Sequence, residues 1–172
     1  MPNTPALLGA GATGLFANAR VTPAQQSSAD TLLKAAGMTV WIDDEAHMDI
    51  VTALSGSGPA YVFFLAEAMQ AAAEAQGLPT AVASALTRQT IFGAMRLLEE
   101  SGQTPSELRR QVTTPAGTTH AAITALTNDG FQQLLNRAIA AATERGRELS
   151  ALHDQPDLFC RSGSSRDRRR TT

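Results

Sequence analysis

The amino-acid pattern changes near residue 43, and this change limits which folds the chain can adopt. Before it, a β-prone stretch, a helix with clear start signals and a second β-prone stretch follow one another, which is typical of α/β proteins. After it, apolar residues recur at helical spacing almost to the end of the chain. Because residues 1–43 are too few for a complete α/β domain, we expect the C-terminal remnant of such a domain there. Residues 44–150 are predicted to form an all-helical domain, so the expected fold class is mainly α.

Local signals place the elements of the first part. Residues 12–19 predict a short strand, and residues 39–42 predict another because they are rich in β-branched and aromatic side chains. Residues 22–25, Thr-Pro-Ala-Gln, have the pattern of a capping box with proline at the first helical position. Gly37 fits the C′ position that ends this helix.

Glycine and proline residues divide the helical region into segments. A short apolar segment is predicted at residues 48–54 and a longer helix from residues 57–59. Further helices are predicted to begin at Pro79 and near Thr118 and Gly130, and a short helix is predicted after the capping box 104–107. In several of them the apolar side chains spread over more than one face, and a domain of this size has a limited interior. We therefore expect part of this surface to be buried against a second subunit.

The charge and composition argue against several classes of protein. The net charge is −2, which argues against a general nucleic-acid binder. Residues 161–172 contain five Arg, which could contact nucleic acid, but a disordered Arg-rich tail at residues 151–172 is the preferred interpretation. Alanine occurs 31 times and aromatic residues make up only 5%, so the helices are expected to pack at close spacing.

The cysteine and histidine residues, the start of the chain and the apolar runs together indicate the cellular compartment of the protein. A single cysteine, Cys160, argues against a disulfide framework and against a Cys-rich zinc site. His47, His120 and His153 lack the spacing of a metal motif, so no metal is expected. The start of the chain lacks the features of a secretory signal, and the most apolar run, residues 60–73, is expected to be too short and too polar to span a bilayer. These features predict a cytoplasmic protein with no membrane and no nucleic-acid partner.

Two glycine-rich segments have the letters of functional motifs. Residues 9–14, Gly-Ala-Gly-Ala-Thr-Gly, match the dinucleotide fingerprint. That fingerprint requires a strand before it and a helix directly after it, which the eight preceding residues and the helix cap at Thr22 do not provide, so a flexible loop is predicted. Residues 55–61, Ser-Gly-Ser-Gly-Pro-Ala-Tyr, allow two interpretations, which are close packing of helices and a tight turn at the edge of a pocket.

A third segment combines hydroxyl groups with a helix start. Residues 113–119, Thr-Thr-Pro-Ala-Gly-Thr-Thr, run into the helix that is predicted near Thr118. The free backbone N–H groups of Gly117, Thr118 and Thr119 would point away from that helix, and such a terminus binds carboxylate or phosphate. An ordinary capping loop is the alternative, and the residues alone favour it.

Several segments together resemble the pyrroline-5-carboxylate reductases. Residues 1–6, 55–61, 77–79 and 112–119 have the order and spacing of that family, and the resemblance extends to about residue 149. It implies reduction of the small molecule 1-pyrroline-5-carboxylate to L-proline by NADPH or NADH, which is the last step of proline biosynthesis. It also implies a Rossmann domain followed by a helical domain that forms a homodimer or a higher homo-oligomer. Residues 1–6 resemble an internal segment of the Rossmann domain, so we expect this chain to lack most of the cofactor site and to be inactive alone.

The resemblance implies roles for the residues of the third segment. The N–H groups of Gly117, Thr118 and Thr119 correspond to those that hold the substrate carboxylate. The Thr119 hydroxyl corresponds to the catalytic group that hydrogen-bonds the ring nitrogen. Thr114 stands where the family usually has Ser, and Ala116 stands where it usually has Gly. A left-handed backbone at Ala116 would cost about 1 kcal/mol or more.

Four further residues are implied around the same pocket. Gln111 corresponds to a side-chain amide that approaches the substrate, and Glu45 corresponds to an acid that lines the pocket. Asn3 and Thr4 correspond to residues near the nicotinamide end of the cofactor. A protonated imine accepts hydride readily, so the protein needs only to anchor and orient the substrate beside the cofactor.

Two alternatives remain open. One is a non-catalytic helical dimerisation module derived from the same family, which would pair with full-length subunits. The other is a two-domain dehydrogenase of the 3-hydroxyacid type, which would be expected to use a lysine on a helix of its second domain. The only lysine, Lys34, lies outside that domain, which argues against the second alternative.

Overall fold

The computed structural model describes residues 1–153, and most of the predicted tail, with Cys160, lies outside the described residues. The first part is a small parallel βαβ unit. After a 3-10 turn at Thr4–Leu8, it consists of β1 (Gly11–Leu15), α1 (Pro23–Lys34) and β2 (Gly37–Trp41). The two strands pair in register from Gly11 with Gly37 to Leu15 with Trp41, and α1 packs on β2. A helix between two parallel strands is the connection that such strands need, so the predicted α/β character is confirmed.

Helix α1 begins where the capping box predicts. The Thr22 hydroxyl accepts a hydrogen bond from the Gln25 N–H, and the Thr22 N–H donates to Gln25 Oε1 at 2.8 Å. Near the other end, Asp30 accepts hydrogen bonds from the Thr39 hydroxyl and forms an ion pair with Lys34. Lys34 and Thr39 hold the pKa of Asp30 below its ordinary value. Asp30 thereby ties the last turns of α1 to β2.

Three expectations for this part are wrong in detail. Residues 11–14 belong to strand β1, with Thr13 buried, and do not form a flexible loop. The first strand ends at Leu15, well before residue 19. Gly37 begins β2 and does not end α1: its φ is +143°, and a Cβ there would overlap the backbone of Gly11. Glycine at position 37 is therefore required by the close approach of the two strands.

The remainder of the described chain is helical, which confirms the mainly α fold class. Its elements are α2 (Met48–Val51), a π-helical turn (Thr52–Gly56), α3 (Gly58–Ala75), α4 (Thr80–Glu100), α5 (Pro105–Gln111), α6 (Thr118–Asn128) and α7 (Phe131–His153). Gly77 and Gly130 have φ values of +94° and +78°, which explains why chain direction changes at these glycines. The capping box at Thr104 and Glu107 is present, and the Thr104 hydroxyl lowers the pKa of Glu107.

The helices pack as an open arrangement with very little interior. Helix α3 packs on α4, while α7 contacts α2, the π-helical turn and α6. Ala53 and Ala83 are the only fully buried apolar residues among those described. Large apolar side chains are exposed instead, and Phe63 and Phe64 on α3 have 63% and 72% of their surface accessible. A domain that leaves this much apolar surface exposed needs another surface to cover it.

The helical stretch Glu45–Ala75 has a property that the sequence did not predict. It is 31 residues long and contains an 18-residue window with a mean hydropathy of 1.2, so by length and composition alone it could cross a membrane. It is longer than the apolar run 60–73 because the helix continues through the π-helical turn. A helix that is covered by other protein surfaces meets the same criterion, so this property alone does not indicate a membrane segment.

Candidate functional site

The loop between α5 and α6 contains a tight turn at residues 114–117. The Gly117 N–H donates to the Thr114 carbonyl oxygen at 3.0 Å, which closes the turn. Pro115 holds the second position and Ala116 the third, with a φ of +59° at Ala116. A proline followed by a residue with positive φ is the pattern of a type II turn. A Cβ at Gly117 would lie 2.5 Å from Thr114 Oγ1 and 3.1 Å from the Thr114 carbonyl oxygen, so a larger residue there would force the Thr114 side chain to shift.

This turn leads directly into the N-terminus of α6. Gly117 is the N-cap residue and has no side chain to accept a hydrogen bond from the first turn. The backbone N–H groups of Thr118, Thr119 and His120 consequently have no partner among the described residues. The expectation that the Gly117 N–H is also free is wrong, because that group closes the turn. The positive end of the helix dipole and three unpaired N–H groups give this terminus the capacity to bind an anion.

The predicted polar side chains around the turn are partly engaged. The Thr113 hydroxyl donates to the Arg109 carbonyl oxygen at 2.6 Å and fastens the end of α5. The Gln111 amide donates to Gln103 Oε1 at 2.7 Å. The hydroxyls of Thr118 and Thr119 make no hydrogen bond to other described residues, and Thr119 is half-buried. The Thr119 hydroxyl is thus available to a ligand beside the N–H groups.

Glu45 belongs to a different element from this turn. It begins a short 3-10 turn at Glu45–His47, which is capped by Asp44 through its carboxylate and the Ala46 N–H at 2.9 Å. The Glu45 side chain is exposed, and no hydrogen bond or ion pair joins it to residues 111–119 within the described part of the chain. The capping role of Asp44 supports the interpretation that this acidic cluster complements a helix start.

Asn3 connects the βαβ unit to the helical region. Its side-chain amide donates to the Ser55 carbonyl oxygen at 3.1 Å, and its Oδ1 accepts from the Ala12 N–H at 2.9 Å. Thr4, the neighbouring predicted site residue, is exposed at the start of the 3-10 turn. Beside them the Met1 amino group donates to the Gly14 carbonyl oxygen at 2.7 Å, and burial lowers the pKa of that amino group.

The Ser55 carbonyl oxygen, which accepts the hydrogen bond from Asn3, belongs to the π-helical turn at Thr52–Gly56. The Ser57 N–H donates to the Thr52 carbonyl oxygen at 2.9 Å, five residues back, and the Tyr61 hydroxyl donates to the Ala53 carbonyl oxygen at 3.0 Å. The widened helix presents its carbonyl oxygens to these side chains. Such turns occur frequently at functional sites. The local sequence did not predict this element, whose one signal is the Ser-Gly-Ser-Gly-Pro block.

The structure bears on both interpretations of that block. A tight turn is wrong, because the helix continues from α2 through the π-helical turn to α3. Close packing of helices is not shown at Gly56, where the nearest atom to a Cβ, at 2.7 Å, would be the end of the Met1 side chain, which belongs to no helix. It does not explain Gly58, where a Cβ would meet no atom within 4 Å.

Replacement of Asn3 by Ala is expected to lower the free energy of unfolding by about 1–3 kcal/mol, because two part-buried backbone groups would lose their partner. Chemical denaturation of the full chain measures this change. Asn18→Ala is the matched control, since Asn18 accepts a single exposed hydrogen bond from the Arg20 N–H. Equal losses for the two variants would contradict the connecting role of Asn3.

The predicted site residues therefore form two groups in the single chain. Gln111, Thr114, Gly117, Thr118 and Thr119 lie together at the turn before α6. Asn3 and Thr4 lie beside the π-helical turn, and Glu45 lies just before α2. Within residues 1–153, no hydrogen bond or ion pair links the first group to the second. A single pocket that contains both groups would therefore require another protein surface, beyond the single described chain, that places them close to each other.

Comparison with known proteins places this arrangement in a family. The family model for pyrroline-5-carboxylate reductase dimerisation matches residues 45–149. A pyrroline-5-carboxylate reductase from Pseudomonas aeruginosa is 53% identical over 150 residues, and the match covers 87% of this chain and 55% of that protein. One from Synechocystis is 41% identical over 149 residues and is covered to the same 55%. The chain thus spans about half the length of the curated relatives that it matches.

Solved structures agree in fold. The structure of a pyrroline-5-carboxylate reductase from Coxiella burnetii has a TM-score of 0.83 and 45% identity, over 87% of this chain and 55% of that chain. The Plasmodium falciparum pyrroline carboxylate reductase, which was crystallised with NADP bound, has a TM-score of 0.77 and 30% identity, over 87% of this chain and 61% of its own. The family match over most of the helical region, with this likeness in fold and sequence, shows that the chain belongs to the pyrroline-5-carboxylate reductase family.

Proposed function

We propose that this chain is the substrate-binding and dimerisation part of a pyrroline-5-carboxylate reductase, which reduces 1-pyrroline-5-carboxylate to L-proline with NADPH or NADH. The observation that carries the proposal is the turn at residues 114–117, which ends in unpaired N–H groups at the start of α6. Family membership supplies the substrate class for this terminus, since the substrate is a small carboxylate. The proposed compartment is the cytoplasm, where a biosynthetic enzyme of this family would act.

The proposed domain organisation follows the change in pattern near residue 43. Residues 1–43 would be the last part of a Rossmann domain, and residues 44–150 would bind substrate and form the dimer. The chain corresponds to about half of its relatives, so most of the cofactor site would be supplied by polypeptide outside the 172 residues. Asn3 and Thr4 would contribute at the nicotinamide end of that site.

In the proposed reaction this chain binds and orients the substrate, while a bound nicotinamide cofactor supplies the hydride. The N–H groups of Thr118 and Thr119 donate to the substrate carboxylate, and the helix dipole favours its negative charge. The Thr119 hydroxyl hydrogen-bonds the ring nitrogen, which gains electron density as the adjacent carbon is reduced. Gln111 approaches the substrate by exchanging its present partner, Gln103, for the ligand.

The second subunit would complete the pocket. In the single chain, Glu45 is not joined to the turn before α6, and α5 has no extensive contact with any other described element. An interlocked pair of helical domains would cover the exposed apolar faces and bring the turn of one subunit to Glu45 of the other. The same association would explain why the described chain has almost no interior of its own.

Joining the cofactor-binding half of the Pseudomonas aeruginosa relative to the N-terminus of this chain tests the proposal. The completed protein is expected to consume NADPH when 1-pyrroline-5-carboxylate is added, as measured by absorbance. A folded, dimeric completed protein without turnover would contradict the catalytic function. It would favour the alternative of a non-catalytic dimerisation module.

The same observations lead to a prediction for the 172-residue chain without that addition. We expect no micromolar binding of NADPH and no turnover, because residues 11–14 belong to a strand and residues 9–14 are not the turn between a strand and a helix that holds pyrophosphate. Fluorescence titration with NADPH is the measurement, with the completed protein as the positive control. Micromolar binding by the chain alone would return residues 9–14 to consideration as a phosphate-binding motif.

A further inference from the structure

Helix α4 has an apolar stripe that the described chain leaves exposed. Three large residues of this stripe, Val82, Leu86 and Leu97, have 44%, 56% and 60% of their surface accessible. At about 100° per residue, these three and Gly93 lie within about 60° of the helix circumference. The buried residues of α4 lie on a different face, and α4 packs on α3. The stripe is therefore separate from the contact with α3.

Gly93 lies in the interior of α4, where glycine is unfavourable. It disfavours the helix by about two- to fivefold relative to alanine. A Cβ at this position would meet no atom within 4 Å, so nothing in the described part of the chain requires the absence of a side chain. Arg88 and Arg96 lie outside the arc of the stripe, which has no charge between residues 82 and 97. The stripe thus offers an uncharged apolar surface with a gap at Gly93.

The residues of the stripe are complementary to a second copy of the same stripe. In an antiparallel pair of α4 helices with a two-fold axis between residues 89 and 90, position 86 of each helix faces position 93 of the other. Position 82 likewise faces position 97. The Leu86 side chain then enters the space beside Gly93, and Val82 contacts Leu97. Because the axis repeats both contacts, a single helix sequence supplies both the protruding side chains and the gaps that receive them.

We infer that the α4 stripe (residues 82, 86, 93 and 97) is a two-fold contact between two copies of this chain, with Leu86 of each copy packed against Gly93 of the other. The inference rests on the dimer proposed above and assigns a specific contact to it. Helix α4 lies within residues 45–149, which match the family model for dimerisation. The contact gives the unfavourable glycine in the helix interior a physical reason, since a side chain there would keep the two helices apart.

The test measures the dimer dissociation constant of the full chain by analytical ultracentrifugation. Gly93→Ala is expected to weaken the dimer about tenfold, and Gly93→Leu at least about 100-fold, because each added side chain overpacks the contact twice. Ala85→Leu is the matched control, since it enlarges an exposed residue of the same helix outside the stripe, and it is expected to keep the dimer. Circular dichroism checks that each variant is folded.

A second variant tests the pairing of the two positions. Leu86→Ala alone is expected to weaken the dimer, whereas Leu86→Ala combined with Gly93→Leu is expected to recover at least about tenfold of the affinity lost in Gly93→Leu. This recovery requires the two positions to face each other, so weakening without recovery would overturn the pairing.

The remaining outcomes separate this inference from the proposed function. An unchanged dimer in the folded Gly93 variants would overturn the inference, leave the proposed dimer intact and assign the stripe to another covering surface. A monomeric original chain at micromolar concentration would overturn the proposed dimer together with the inference. Gly93→Ala favours the helix in a single chain, so it still decides the result if Gly93→Leu does not fold.

Discussion

Replacement of Phe64 by Asp is expected to weaken the proposed dimer at least about 30-fold, which corresponds to the loss of about 2 kcal/mol or more that a central interface residue would give. Phe64 lies on α3 within residues 45–149, the region that matches the family's dimerisation model. Its side chain is 72% exposed in the single chain, and few described apolar residues are buried. If this ring is buried between subunits, an aspartate at the same position would place a charged carboxylate in the interface, and its burial would destabilise the dimer.

Light scattering and sedimentation of the full chain measure this effect. Leu7→Asp is the matched control, because Leu7 is 89% exposed on the 3-10 turn, outside residues 45–149. The control variant is expected to keep the dimer. A well-folded monomer of the unmodified chain at micromolar concentration would contradict the prediction, and the exposed rings of α3 would then require a different covering surface.

Thr119→Ala, in the protein completed with a cofactor-binding half, is expected to lower kcat/KM about ten- to a hundredfold. The lost interaction is a hydrogen bond to the ring nitrogen, worth about 1–3 kcal/mol when its partner carries charge. The physical basis is the Thr119 hydroxyl, which has no partner among the described residues and lies beside the unpaired N–H groups of α6. Steady-state kinetics with 1-pyrroline-5-carboxylate give the measurement.

Two further variants separate catalysis from helix capping. Thr119→Ser retains the hydroxyl and is expected to recover most of kcat/KM. Thr127→Ala removes a hydroxyl from the same helix, but that hydroxyl donates to the Ile123 carbonyl oxygen at 2.7 Å and faces no proposed ligand. If Thr119→Ala changes the unfolding midpoint as Thr127→Ala does and leaves the kinetics unaltered, Thr119 is only part of a helix start.

Local sequence determined the helix boundaries of this protein because the groups that end a helix lie within a few residues of one another. Thr22 with Gln25 and Thr104 with Glu107 form the two predicted capping boxes. The glycines at 77 and 130 adopt the positive φ that a change of direction requires. The turn before α6 belongs to the same class, since the Thr114 carbonyl and the Gly117 N–H are three residues apart.

Only the tertiary structure decided the features that depend on distant partners. Residues 11–14 have the composition of a loop. They form a strand because they pair with Gly37 and its neighbours, which follow α1 along the chain. The π-helical turn is accompanied by contacts from Asn3, 52 residues away from Ser55, which no local pattern reveals. The sequence equally does not reveal that Glu45 makes no hydrogen bond or ion pair with residues 111–119 within the described part of the chain. Hydrogen bonds that close a cap or a turn join residues a few positions apart, so the local sequence specifies them. Contacts between residues that are distant along the chain depend on the packing of the whole molecule.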